Sequence, residues 1–212
     1  MIKCIVIASG NDASVAMAEH IAGNEPEFVN AMNKKAQALG MKNTHFVDCC
    51  GLTDSDDHYT TAYDIALMSR ELIRKYPEIL NYSSVWMDTI THNTRQGSKE
   101  FGLSNTNRLI RTYEGCVGLK TGSTSKAKFC VSAVAKRKGI HSDRCSYGCS
   151  GFQDKSEGCL NAFDYGFAKC SLLYRRKSGE ASRSESDKRH KRKNNSDFWK
   201  NLPLSEYRRN NF

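Results

Sequence analysis

The stretch "GLKTGSTSKAKFCVSAVAKRKG", Gly118 to Gly139, decides the fold class. Val117 to Thr121 and Phe129 to Lys136 read as two strands of one antiparallel hairpin. Gly122, Ser123, Thr124 and Ser125 supply the turn between them. Everything upstream has a different rhythm. Val15, Ala18, Ile21 and Ala22 fall on one helical face, which Gly23 closes. Asp12 or Ser14 can cap that helix. Phe28, Val29, Met32, Ala36 and Leu39 stripe a second helix. Pro26 stands in its first turn, where proline costs little, and Gly40 ends it.

Thr61-x-x-Asp64 predicts a capping box at the start of a third helix, continued by Ile65, Met68, Leu72 and Ile73. Tyr76-Pro77 stops it, because the residue before proline avoids helical angles. Ile2 to Ile7 reads equally as a strand or as the end of a helix. Ser83 to Ile90 alternates as a strand would, with a loop expected around Gly97 to Gly102. Helices first and antiparallel strands after them predict an α+β fold, with helices packed on an antiparallel sheet.

Composition narrows the function classes. The chain has 212 residues, 39% hydrophobic and 26% charged, as expected of one globular domain. Its net charge of +9 is concentrated in the tail, where residues 174–212 hold 12 Lys and Arg against 5 acids. Residues 1–173 carry only +2, so no nucleic-acid partner is expected of the body. The tail itself is too polar to bury a core and reads as disordered. No stretch reaches the roughly 18 apolar residues of a membrane span, and no signal peptide is read at the start. The nine cysteines form no CxxC pair, so no metal site is expected.

Two triplets carry the chemistry: Ser9-Gly10-Asn11 and Lys120-Thr121-Gly122. Each alone is common. Together, in this order and about 110 residues apart, they match two of the three motifs of active-site-serine enzymes. The intervening segments "SGNDASVAMAEHIAG", "MNKKAQALGMKNTHF", "YTTAYDIALMSREL" and "NTNRLI" agree. The chain resembles the low-molecular-weight penicillin-binding proteins, and among them the serine-type D-alanyl-D-alanine carboxypeptidases. The likeness runs from Ile2 to about Ile140 and resumes at "LNAFDYGFAKC".

The resemblance implies an incomplete transpeptidase fold of the penicillin-binding and β-lactamase type. It implies a peptidoglycan stem peptide ending in D-Ala-D-Ala as substrate, β-lactams as inhibitors of the full-length family, and no cofactor or metal. It also implies an extracytoplasmic workplace. By the same resemblance, Ser9 relays a proton to the leaving group and Asn11 offers its amide to the substrate backbone. Lys120 supplies positive charge, and Thr121 hydrogen-bonds the terminal carboxylate. Gly122 leaves room for the substrate along the strand, and the Ser123 N–H is an oxyanion donor.

Three departures accompany the likeness. The family's Ser-x-x-Lys nucleophile motif is expected upstream of Ser9, where no room exists for it. Its two letter matches, Ser123-x-x-Lys126 and Ser125-x-x-Lys128, fall in the turn after Lys120 and read as chance. The chain is therefore expected to be N-terminally truncated, with Met1 an internal methionine, and inactive by the acyl-enzyme route. Second, "HSDRCSYGCSGFQDK", His141 to Lys155, does not read as the buried apolar strand expected there. Codons for Ser142 to Gly151 can be chosen so that reading one base later gives Gln-Ile-Ala-Ala-Val-Met-Gly-Ala-Val. Residues 141–159 are therefore expected to be out of frame, within a partial catalytic domain of residues 1–173. Third, "DCCGL" replaces the proline and histidine common in relatives, which bears on a local turn.

Overall fold

The computed structural model describes residues 1–95, 97–137, 139–149 and 152–169, all within one compact unit, Met1–Leu172. The tail expected to be disordered lies outside the described residues. Seven helices and five strands are described, grouped into a two-stranded and a three-stranded sheet.

Ile2–Val6 is helical and forms α1, which resolves the ambiguity of the first segment. Helix α2, Asn11–Ala22, begins at Gly10 without a side-chain cap. Neither Asp12 nor Ser14 caps it, contrary to expectation. The Asp12 carboxylate accepts from the Ala13 N–H, and the Ser14 hydroxyl donates back to the Gly10 carbonyl. They stand two and four residues after Gly10, inside the first turn and past the cap position. Helix α3, Glu25–Ala38, is capped by Asn24, whose Oδ1 accepts from the Glu27 N–H at 2.9 Å.

Helix α4, Ala62–Lys75, realises half of its predicted capping box. Thr61 Oγ1 accepts from the Asp64 N–H at 3.1 Å. The Asp64 carboxylate, buried at 1% exposure, instead accepts from the Asn43 N–H and the Thr44 hydroxyl, each at 2.8 Å. Asp64 thereby anchors the connection after α3 rather than its own helix. The helix stops at Tyr76, and Pro77–Ile79 forms a 3-10 turn leading into α5, Leu80–Ser83.

Ser83 is thus helical, not the first residue of a strand. It is fully buried, and its hydroxyl donates to the Val117 carbonyl at 2.7 Å. Strand β1, Met87–Thr94, pairs with β2, Gly97–Ser104, where a loop was expected. The glycines misled the reading. β2 is exposed at every residue but Leu103, so no apolar alternation marks it as a strand. The short helix α6, Leu109–Thr112, follows.

Strands β3, Cys116–Thr124, β4, Lys128–Arg137, and β5, Ile140–Cys149, form an antiparallel sheet in the order β3-β4-β5. β3 runs further than predicted, so Gly122, Ser123 and Thr124 are strand residues. The turn is Ser125–Ala127, closed by the Ala127 N–H donating to Thr124 Oγ1 at 2.9 Å. Cys130 to Ala135 are all buried, so β4 is covered on both faces. One face, Val131, Ala133 and Ala135, joins Leu109, Tyr113, Cys116, Cys159 and Phe163 in the core. The last two stand on α7, Phe152–Lys169. On the other face Ser132 meets Ser69 of α4, hydroxyl to hydroxyl, at 2.9 Å. Helices therefore flank the sheet, as the α+β reading predicts.

Ile140–Cys149 forms the strand beside β4 although its letters do not read as a buried apolar one. It pairs with β4 from Arg137↔Ile140 to Phe129↔Cys149, with one irregularity between Phe129 and Val131. A ladder needs only backbone N–H and C=O groups, and these are present whatever the side chains.

Candidate active site

Ser9 sits in the bend between α1 and α2 with φ +58°, a left-handed conformation uncommon for serine. Two neighbours hold it there. Ile7 is completely buried, and the Gly10 N–H donates to the Cys4 carbonyl at 3.0 Å. The bend costs roughly 1 kcal/mol or more and persists because its surroundings determine it. Asn11, the next residue but one, opens α2.

Lys120 lies on β3, which pairs only with β4 among the described residues. Its ammonium donates to Ser9 Oγ at 2.9 Å and to the Thr121 carbonyl at 2.8 Å. The two triplets thus meet across 111 residues of chain. Ser9, Asn11 and Lys120 line one cleft of about 270 Å³. Its remaining wall is largely apolar, with Ile5, Val6, Leu72, Ile79 and Leu119, and includes Ser14, Cys49 and Cys50.

The other three predicted site residues are not in that lining. Thr121, Gly122 and Ser123 continue along β3, with Gly122 and Ser123 exposed. Thr121 Oγ1 lies 2.6 Å from Thr106 Oγ1. A Cβ built on Gly122 would meet nothing within 4 Å, so open space flanks the strand at that point. A positively charged donor, a hydroxyl beside it and an unpaired strand edge can together hold an extended peptide that ends in a carboxylate.

Sequence reasoning passed over Cys49 and Cys50 as cleft residues, having read "DCCGL" only as a turn. The turn is real. The Cys50 N–H donates to Asp48 Oδ1 at 2.9 Å, and the Gly51 N–H donates to the same oxygen. The Cys49 N–H donates to Glu25 Oε1 at 3.0 Å. Burial, and then the Glu25 carboxylate, push the Cys49 thiol up to about 12, so it stays protonated and unreactive at neutral pH. Nothing local to Thr106 signalled its part, since its partner is 15 residues away.

The first of the two Ser-x-x-Lys matches has its lysine engaged elsewhere. Lys126 is engaged by the Asp54 carbonyl at 2.9 Å and by the Asp56 carboxylate, whose pKa it lowers. Among the described residues, no group of three or more His, Cys, Asp or Glu is arranged to hold a metal ion. No described helix is long and apolar enough to cross a membrane.

An antiparallel sheet flanked by helices, with Lys-Thr-Gly on its edge strand against a Ser-Gly-Asn bend, defines a transpeptidase-type fold. The solved Streptomyces DD-transpeptidase superposes with a TM-score of 0.73 at 25% identity, covering 78% of this chain and 66% of that one. A penicillin-binding protein of Listeria monocytogenes in its ampicillin-bound form gives 0.67 at 29% identity, covering 78% and 65%. Residues 1–143 match the family described as D-alanyl-D-alanine carboxypeptidase, and the chain belongs to that family. It is 45% identical over 178 residues to the D-alanyl-D-alanine carboxypeptidase DacF of Bacillus subtilis, covering 83% of this chain. The alignment spans 44% of that relative, so the chain corresponds to less than half of its length.

Proposed function

We propose that this chain supplies the substrate-binding wall of a serine-type D-Ala-D-Ala carboxypeptidase acting on peptidoglycan stem peptides outside the cytoplasmic membrane. The observation that carries the reading is the 2.9 Å contact between Lys120 Nζ and Ser9 Oγ across the cleft. An ammonium at that distance stabilises negative charge on the Ser9 oxygen as its proton passes to the leaving group, and it attracts a carboxylate-terminated substrate. Asn11 is in reach of a peptide lying in the same cleft and offers it both a donor and an acceptor. Thr121 takes the terminal carboxylate, Gly122 gives clearance for the peptide as an added strand, and the Ser123 N–H faces the scissile carbonyl. The reaction in this assignment is acyl transfer without a cofactor.

The nucleophile is the part this assignment does not find. With Lys126 committed to Asp54 and Asp56, Ser123 has no suitable base in its matched lysine. The 212-residue chain should therefore show no covalent label after incubation with a fluorescent penicillin. A labelled band would overturn the claim that the nucleophile is missing.

The Lys120–Ser9 contact also supports a second reading, a peptidoglycan-binding module that keeps the Lys120 and Asn11 contacts without catalysis. Muropeptide binding that disappears in Lys120→Ala supports it, and no binding by the intact chain removes it. We further read residues 141–159 as out of frame, because their letters do not spell the apolar strand expected beside β4. The nucleotide sequence tests this, since the alternate frame must encode an apolar strand.

A further inference from the structure

We propose that Thr106 is a positioning residue for Thr121 and so helps select a substrate with a free terminal carboxylate; the inference rests on the carboxypeptidase reading above. The two hydroxyl oxygens are 2.6 Å apart, at the short end for an O–H···O bond. A threonine hydroxyl has one proton to donate. When Thr121 gives its proton to a carboxylate, the bond between the two threonines must use the proton of Thr106. Thr106 then fixes the direction of the Thr121 O–H and polarises it, strengthening the bond it makes outward.

Thr106 is exposed, but the backbone on either side of it is bolted down. Asn105, 4% exposed, donates through its side chain to the Ser83 and Val85 carbonyls at 3.2 and 2.8 Å. Its backbone N–H donates to the Trp86 carbonyl at 2.8 Å. Asn105 Oδ1 accepts from the Asn107 N–H at 2.9 Å, and Asn107 Oδ1 accepts from the Leu109 N–H at 3.2 Å. Ser83, which receives Asn105, also holds the Val117 carbonyl of β3. The segment carrying Thr106 and the strand carrying Thr121 are therefore referenced to the same buried serine. An exposed hydroxyl on so fixed a platform contributes little to stability and much to orientation.

The test uses the intact chain and its Thr106→Val, Thr106→Ser and Thr121→Val variants. Calorimetric binding is measured for a diacetylated Lys-D-Ala-D-Ala tripeptide and for the same tripeptide capped as a C-terminal amide. Wild type is expected to prefer the acid. Thr106→Val should cut that preference by about fivefold to tenfold, the effect of one supporting hydrogen bond, with an unchanged thermal midpoint. Thr106→Ser should restore it, and adding Thr106→Val to Thr121→Val should cost nothing more. Full preference retained in Thr106→Val overturns the inference and leaves the carboxypeptidase reading standing. Equal binding of acid and amide by wild type overturns both.

Discussion

The hairpins β1–β2 and β3–β4 have the same topology and similar lengths, eight residues per strand against nine and ten. They differ in what covers them. In β2 only Leu103 is buried, and Phe101 stands 59% exposed opposite Ile90. In β4 six consecutive residues are buried, because α4 and α7 flank the sheet. A two-stranded ribbon alone is marginal in water. The first hairpin is held by its ladder, whereas the second is clamped between layers and can hold Lys120 rigidly against Ser9. Where the chemistry must be positioned, the fold has supplied a covered sheet.

That contrast can be broken by experiment. Phe163 is fully buried and stacks on Tyr113 at 5.1 Å between ring centres. Phe163→Ala should cost about 3–5 kcal/mol in urea unfolding; a loss below 1 kcal/mol would mean that α7 does not clamp the sheet. Next in size is a purely functional effect. Gly122→Ala adds a methyl into open space, so its thermal midpoint should hold. Its affinity for D-Ala-D-Ala peptides should fall by at least tenfold, about 1.4 kcal/mol, if the peptide lies along β3. Unchanged affinity would move the substrate off that edge.

The covered side also has an alkaline signature. Burial, assisted by the Asp164 carboxylate that accepts from its hydroxyl at 2.7 Å, raises Tyr113 to about 12 in the fold, against about 10 in the unfolded chain. The unfolded state loses that proton first. Its stabilising contribution is therefore full below pH 10 and is lost as pH rises through 12. Tyr113→Phe should flatten this part of the stability profile, and an equally steep fall in the variant would assign the effect elsewhere. The smallest expected change is on the uncovered hairpin. Phe101→Ser should shift stability by no more than about 0.5 kcal/mol, read in the same urea titration as Phe163→Ala.

Local chemistry explains what could be read in the letters. Asn24 and Thr61 cap helices because their side chains reach N–H groups three residues ahead. Pro77 ends one because of a clash with the residue before it. The α+β order follows from such signals. So does the pairing of Ser9-Gly10-Asn11 with Lys120-Thr121-Gly122 as motifs. Readings failed where a side chain's partner lies far away. Asp64 turns to Asn43 and Thr44, and Ser83 to Val117. β2 and β5 were missed because their strands are made by backbone pairing to a neighbour, and their own side chains do not alternate.

The sequence by itself determined the helix stops, the Phe129–Lys136 strand and the family, since each rests on residue identity at short spacing. Only the tertiary structure brought Lys120 to within 2.9 Å of Ser9, held Ser9 at φ +58° and set Thr106 against Thr121. Those contacts are set by the packing of Ile7, Ser83 and the buried β4 strand, which no local propensity encodes.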